Sequence, residues 1–282
     1  MRQVTDAFPF PGYFDPELSG HITVAQTVQR FLKPGSRILD FGAGCADKTA
    51  VLAALGYRCT AADDLQDEWH KRGGARRRIL DFAETMGVEY VTLDGGALPE
   101  TGTDTGTETG TDTAAGAGAF DMVMLHDVLE HLHDSPRALL IGLLERVRDE
   151  GYLFVTVPNH VNLRKRLAVL RGRTSHPPYE LYYWYPGPWR GHVREYTEGD
   201  CVALAKALGL TVHEVRGTHH ILEKVPPRLR RAYLAFSRFA PSTRDTWSMV
   251  AQKPPGWRAR PKLDDTEFRE LTGLKSWGEL AH

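Results

Sequence analysis

Within six residues, His126-Asp-Val-Leu-Glu-His131 carries two carboxylates and two imidazoles. Read as a helix, the segment puts Asp127, Glu130 and His131 at i, i+3 and i+4, on one face. It follows a strand directly, so that face projects from the carboxyl end of a sheet, where ligands bind. Two carboxylates and an imidazole on one face are ligands for a divalent ion. His192, in Gly191-His-Val-Arg-Glu-Tyr-Thr197, is a candidate fourth. Without an ion, His131 or His192 could take a proton from a hydroxyl, because imidazole titrates near neutrality. His126 and His160, each near a strand end, are weaker candidates for that step. The plainer alternative is that Glu130 and His131 only brace their helix, and the residue types leave all three readings open.

A second stretch, Arg37-Ile-Leu-Asp-Phe-Gly-Ala-Gly-Cys45, runs a short strand into two glycines ahead of a helical pattern. A strand, a tight Gly turn and a helix N-terminus present backbone N–H groups to a ligand. A dinucleotide fingerprint would continue to a third Gly, but Ala46 and Asp47 follow, which disfavours NAD. Asp63-Asp64 closes the next strand roughly 20 residues on, where an acid is placed to accept ribose hydroxyls.

These groups need a frame. Apolar runs predict strands over 37–41, 58–62, 88–93, 120–125, 151–157, 210–216 and 246–253. Helical patterns lie over 20–32, 47–55, 66–87, 128–132, 137–148, 160–173, 199–208 and 226–239. Strand and helix alternating five times make a parallel, doubly wound α/β sheet. Residues 100–119 hold no apolar side chain larger than Ala, which predicts a flexible surface insertion. The aromatics of 8–14 favour a packed segment over a lid. Residues 160–197 form an aromatic-rich insert on the substrate side, with Tyr179, Tyr182, Tyr183, Trp184, Tyr185, Trp189 and Tyr196; packed cap and lid are equally open. One domain is expected over 1–253, with 254–282 as a tail carrying one short helix.

The acid before G-x-G, the acid ending strand two and the acid after strand three resemble class I S-adenosylmethionine (SAM)-dependent methyltransferases. The resemblance covers about Arg37 to Thr197. It implies a Rossmann-like, seven-stranded, mostly parallel sheet whose last strand is antiparallel, with SAM as cofactor. It also implies Asp40, Gly42, Ala43 and Gly44 at the methionine end, Asp63 beside Asp64 at the ribose, and Asp94 with the Gly95 backbone at the adenine. Asp127-x-x-Glu130-His131 with the distant His192 is similar to the metal-dependent O-methyltransferases of the ubiquinone pathway and of small RNAs. Those hold Mg²⁺ with E-x-x-E-H and a distant His; here Asp127 is the shorter acid. This implies a hydroxyl acceptor on a sugar, polysaccharide end or natural product, and Mg²⁺ as a second cofactor. N-methyl transfer to a small molecule and a non-catalytic SAM-binding protein are the alternatives.

The totals narrow the classes. The 282 residues suffice for one α/β domain with additions, and 41% hydrophobic with 25% charged content is that of a globular protein. A net charge of −1 argues against a dedicated nucleic-acid binder. The local basic runs 164–173 and 228–231 suit an acidic or glycosylated acceptor. Three cysteines without C-x-x-C spacing predict a reducing, cytoplasmic setting, and no apolar run predicts a membrane span.

Overall fold

Period-two alternation of large apolar side chains builds the centre of the molecule. In β4 (Phe120–His126), Met122 and Met124 point to one face of the sheet, and Val123 and Leu125 to the other; all four are fully buried. Such a strand must be covered on both sides. In the computed structural model, which describes residues 1–14, 17–94, 116–220, 222, 225–260, 262–276 and 279, it is.

The chain begins with α1 (Arg2–Ala7) and α2 (Ser19–Phe31). There follow β1 (Arg37–Phe41), α3 (Asp47–Ala54), β2 (Arg58–Asp63), α4 (Ala75–Thr85) and β3 (Glu89–Thr92). After β4 come α5 (Arg137–Arg146), β5 (Val147–Pro158), α6 (Leu163–Leu170), α7 (Tyr179–Tyr183), α8 (Glu198–Ala207) and β6 (Thr211–Thr218). α9 (Pro227–Phe239), β7 (Thr246–Gln252) and α10 (Asp265–Thr272) complete it. The strands order as β3-β2-β1-β4-β5-β7-β6. β7 runs antiparallel to both its neighbours and the other pairings are parallel. This is the doubly wound, mostly parallel sheet expected.

One face packs Leu39, Val123, Leu125 and Val155 against Leu140, Leu143 and Leu144 of α5 and Cys201 and Ala205 of α8. The other packs Ile38, Met124 and Phe154 against Val28, Val51 and Phe82 of α2, α3 and α4. Each large side chain removed from water contributes about 1.5–3 kcal/mol. All three cysteines are free and buried.

The structure corrects several boundaries. The helix expected over 66–87 is α4 alone; Gly74 in the left-handed region starts it late. The basic helix begins only at Leu163, where the Asn162 side chain accepts the Lys165 N–H at 3.0 Å. The helix expected over 128–132 shrinks to one 3₁₀ turn, Leu129–His131. The tail docks: Trp257 is buried and its indole donates to the Leu208 carbonyl at 2.7 Å. Of the expected insertion 100–119, residues 100–115 lie outside the described residues. Among the described residues, no helix is long and apolar enough to cross a membrane.

Candidate active site

After β1 the chain must reverse into α3 within five residues, and two glycines make this possible. Gly42 sits at φ 74°, and a Cβ there would stand 2.3 Å from Val128 Cγ2. Its N–H and that of Ala43 both donate to Ala62 O, at 2.7 and 3.2 Å. Gly44 sits at φ 53°, and the space a Cβ would take has no heavy atom within 4 Å. Its N–H donates to Asp63 Oδ2 at 2.9 Å, while the Leu65 N–H donates to Oδ1 at 2.7 Å. Tyr90 of β3 braces the same turn through its hydroxyl, which donates to Gly44 O at 2.5 Å. Burial raises the Asp63 pKa and the two N–H bonds pull it back.

Gly42, Gly44, Asp63, Asp64, Leu93 and Val128 line one cleft of about 420 Å³, with Asp127, His131, Trp189 and Arg190 also in its wall. That volume lies in the range of small-molecule sites, roughly 300–1,000 Å³. Asp40 and Ala43 are not among its lining residues. Asp40 is buried beneath the loop, accepts the Thr49 hydroxyl on Oδ2 at 2.6 Å, and leaves Oδ1 without a partner. Burial pushes its pKa up to about 7, against the pull of Thr49. Asp94 is exposed one residue past Leu93 and outside the cleft lining; Gly95 lies outside the described residues.

The insert crosses the cleft as a strap. Arg190 reaches Asp67 at 2.7 Å and Asp64 at 3.6 Å on the β2 side. On the β4 side, His131 Nδ1 donates to Arg190 O at 2.7 Å and His133 Nε2 to Trp189 O at 2.8 Å. The remainder of the aromatic insert divides from it: Tyr179, Tyr182, Tyr183 and Trp184 are exposed. The N-terminal aromatics pack, Phe8 against Phe14 and Phe82.

Beside the strap, Glu130 is fully buried with both oxygens unpartnered. His131 Nε2 lies 3.9 Å and His192 Nε2 4.0 Å from Glu130 Oε1. His192 Nδ1 donates to Glu195 Oε1 at 2.8 Å, and Lys165 is paired to Glu195 Oε2. Both imidazoles therefore spend Nδ1–H on an oxygen and turn an Nε2 lone pair toward Glu130. Burial, reinforced by the Asp127 charge, pushes the Glu130 pKa up to about 8. Burial and then His131 push His192 down.

Asp127 does not join them. It sits at φ 57°, outside any helix, and its carboxylate faces Lys48 at 3.6 Å. Burial raises its pKa, but Lys48 and His220 outweigh that and hold it below the carboxylate range. The shared face of Asp127, Glu130 and His131 required a helix that the left-handed Asp127 prevents. Glu130, His131 and His192 remain as a possible ligand set. One carboxylate with two imidazoles does not fit Mg²⁺, which favours a shell of oxygens. His126 is buried against Phe154, with Nδ1 at 3.1 Å from Thr156 Oγ1, and burial, then Lys48, depresses its pKa to about 3. It is not among the residues lining the cleft. His160 stands 3.4 Å from Glu195 Oε2 and lines a neighbouring pocket with His192.

Sequence reasoning missed Lys48, Arg190, Glu195 and the buried His21–Asp47 pair, 2.5 Å apart. Lys48 and Asp47 open the helix after the glycines, and an ionic pair at that point was the available signal. Glu195, three residues from His192, was another.

The open space at Gly44, the acids ending β2 and the strand–turn–helix frame fit SAM, with the unspent lone pairs of Asp63 left for ribose hydroxyls. A family profile described as a methyltransferase domain matches residues 21–215. The ubiquinone biosynthesis O-methyltransferase of Caulobacter vibrioides is 26% identical over 190 residues, 65% of this chain. The chain thus spans 66% of that curated relative's length, just short of two thirds. A Bacillus halodurans structure solved as a methyltransferase candidate superposes with TM-score 0.51 at 17% identity, over 82% of this chain and 98% of that one. The cyclase SpnF superposes with TM-score 0.54 at 14% identity, over 88% of this chain and 87% of its own. Likenesses this distant show the fold alone, but the profile spans more than half of the chain, which therefore belongs to the class I SAM-dependent methyltransferases.

Proposed function

We propose that the chain transfers the methyl group of SAM to a hydroxyl of a small-molecule or sugar acceptor. The carrying observation is the meeting of Glu130 and His192 with His131, the member of the three that lines the cofactor cleft. The cyclase among the fold neighbours shows that this sheet also carries other chemistry, so the reading rests on those three side chains. The weak likeness to an O-methyltransferase supports the hydroxyl.

When bound, the sulfonium supplies an activated methyl and a neutral leaving group. Asp63 holds the ribose, with Asp64 beside it, and the Gly42–Gly44 turn leaves room for the methionine end. Asp94, one residue past the cleft-lining Leu93, is the acid for the adenine. His192, kept neutral by burial, takes the acceptor proton at Nε2. Glu195 fixes its tautomer and steadies the imidazolium that results, as an orienting carboxylate does. Glu130, held protonated near neutrality, leaves Glu195 as the carboxylate that steadies that charge.

A second reading is favoured by the same hydrogen bonds. Ligating imidazoles give their other N–H to an oxygen, as His131 and His192 do. A borderline ion such as Zn²⁺ or Mn²⁺ suits two nitrogens and a carboxylate, and would lower the pKa of a hydroxyl bound to it.

Calorimetric titration of S-adenosylhomocysteine into wild type and Asp63→Ala tests the cofactor. Strong binding lost in the variant supports it, and binding of NADH instead of S-adenosylhomocysteine overturns it. A panel of catechols, sugars and amines then tests the acceptor; methylation of amines alone refutes the hydroxyl. Activity abolished by EDTA and restored by Zn²⁺ or Mn²⁺ would favour the ion, and unchanged activity the imidazole base.

A further inference from the structure

α9 presents its apolar stripe to solvent. Leu229, Phe236 and Phe239 fall at i, i+7 and i+10, on one side of the helix, and are 53%, 51% and 90% exposed. Among its residues only Ser237 is buried. α6 buries none, and its Val169 and Leu170 are 60% and 80% exposed. The two helices share one support, the turn Pro241–Thr243: Arg166 donates to Ser242 Oγ at 3.0 Å and the Tyr233 hydroxyl to Thr243 O at 3.0 Å. Their charge is one-sided. Residues 160–178 and 226–244 together hold ten Lys and Arg and no Asp or Glu. Among the described residues, Arg164, Arg171, Arg173, Arg228, Arg231 and Arg238 make no ion pair.

We propose that this face seats on an anionic lipid bilayer, its apolar tips entering the interface and its arginines meeting headgroup phosphates. A helix with Phe and Leu on one side and Arg along its flanks is the pattern of an interfacial helix, and unpaired arginines add attraction to anionic lipid. A second copy of the chain fits poorly, since ten cations would face ten. A nucleic acid would call for a basic groove with ring faces for stacking; here the exposed apolar side chains are Val169, Leu170 and Leu229 as well as the two phenylalanines. The bilayer contact stands apart from methyl transfer. Resting on that reading, however, α6 also carries Lys165, paired to the Glu195 that holds His192, so an amphiphilic acceptor held in the bilayer would lie beside the cluster.

Sedimentation of the full chain with vesicles tests this without cofactor. Binding is expected to equimolar phosphatidylcholine and phosphatidylglycerol, to weaken as salt rises, and to be lost with phosphatidylcholine alone. Phe236→Ser with Phe239→Ser should weaken it at least about tenfold, and Arg228→Gln with Arg231→Gln should reduce the preference for anionic vesicles. All four side chains are exposed, so an unchanged melting curve shows each variant folded. No binding to the mixed vesicles at low salt, or undiminished binding by the double Phe variant, overturns the proposal. Retention of single-stranded RNA without vesicle binding overturns it in favour of a nucleic acid, and a concentration-dependent dimer lost in the Phe variant, again without vesicle binding, in favour of self-association.

Discussion

Gly42 and Gly44 flank a single residue, Ala43, and answer to different demands. At Gly42 the left-handed backbone and the 2.3 Å approach to Val128 both exclude a side chain. Gly42→Ala should cost about 2–4 kcal/mol of stability in urea unfolding. At Gly44 the space is open, so Gly44→Ala should cost about 1 kcal/mol of stability while its methyl, standing in the cleft, weakens S-adenosylhomocysteine binding in calorimetry. The G-x-G spacing was legible in the sequence, but which glycine serves packing and which the ligand was not, because Val128 arrives from the turn after β4. Asp40 gives a prediction in pH. Its folded pKa, about 7, lies above its ordinary value through burial. Its contribution is therefore complete below about pH 4 and lost as pH rises through about 7. The loss is at most about 4 kcal/mol. Comparing melting temperatures of wild type and Asp40→Asn from pH 4 to pH 8 should show the wild type falling more steeply.

At the scale of elements, the turn after β4 was the hardest to foresee. Its residues have fair helix propensity, and i, i+3, i+4 spacing reads naturally as a ligand face. What overrides it is Lys48, on a helix far away in sequence, which draws Asp127 into a left-handed turn. Helix and strand interiors were legible because periodicity is local; this turn was not, because a tertiary ion pair decides it. The strap shows the same logic. Arg190 holds two carboxylates across the cleft while staying 41% exposed, so the pairs contribute little to stability. Arg190→Ala should change unfolding free energy by less than about 1 kcal/mol. It should nevertheless speed release of S-adenosylhomocysteine about three- to tenfold in stopped-flow measurements.

For the whole molecule, the parallel, doubly wound sheet followed from alternating strands and helices, whereas the docking of the tail did not. Trp257 stands alone in a Pro- and Arg-rich stretch, and nothing nearby in sequence shows that it will pack. It does so because the Leu208 carbonyl takes its indole N–H, while the Lys253 ammonium lies over its ring and donates to Leu144 O and Val147 O. Trp257→Ala should destabilise the chain by about 3–5 kcal/mol in urea and leave cofactor affinity unchanged, since Trp257 does not line the cleft. The charge of the two exposed helices has a consequence for handling the protein. With ten cations gathered in α6, α9 and their flanks and a net charge of −1, the remaining surface is strongly acidic. The molecule is an electric dipole, and a cation-exchange resin will retain it at a pH where its net charge alone says it should flow through.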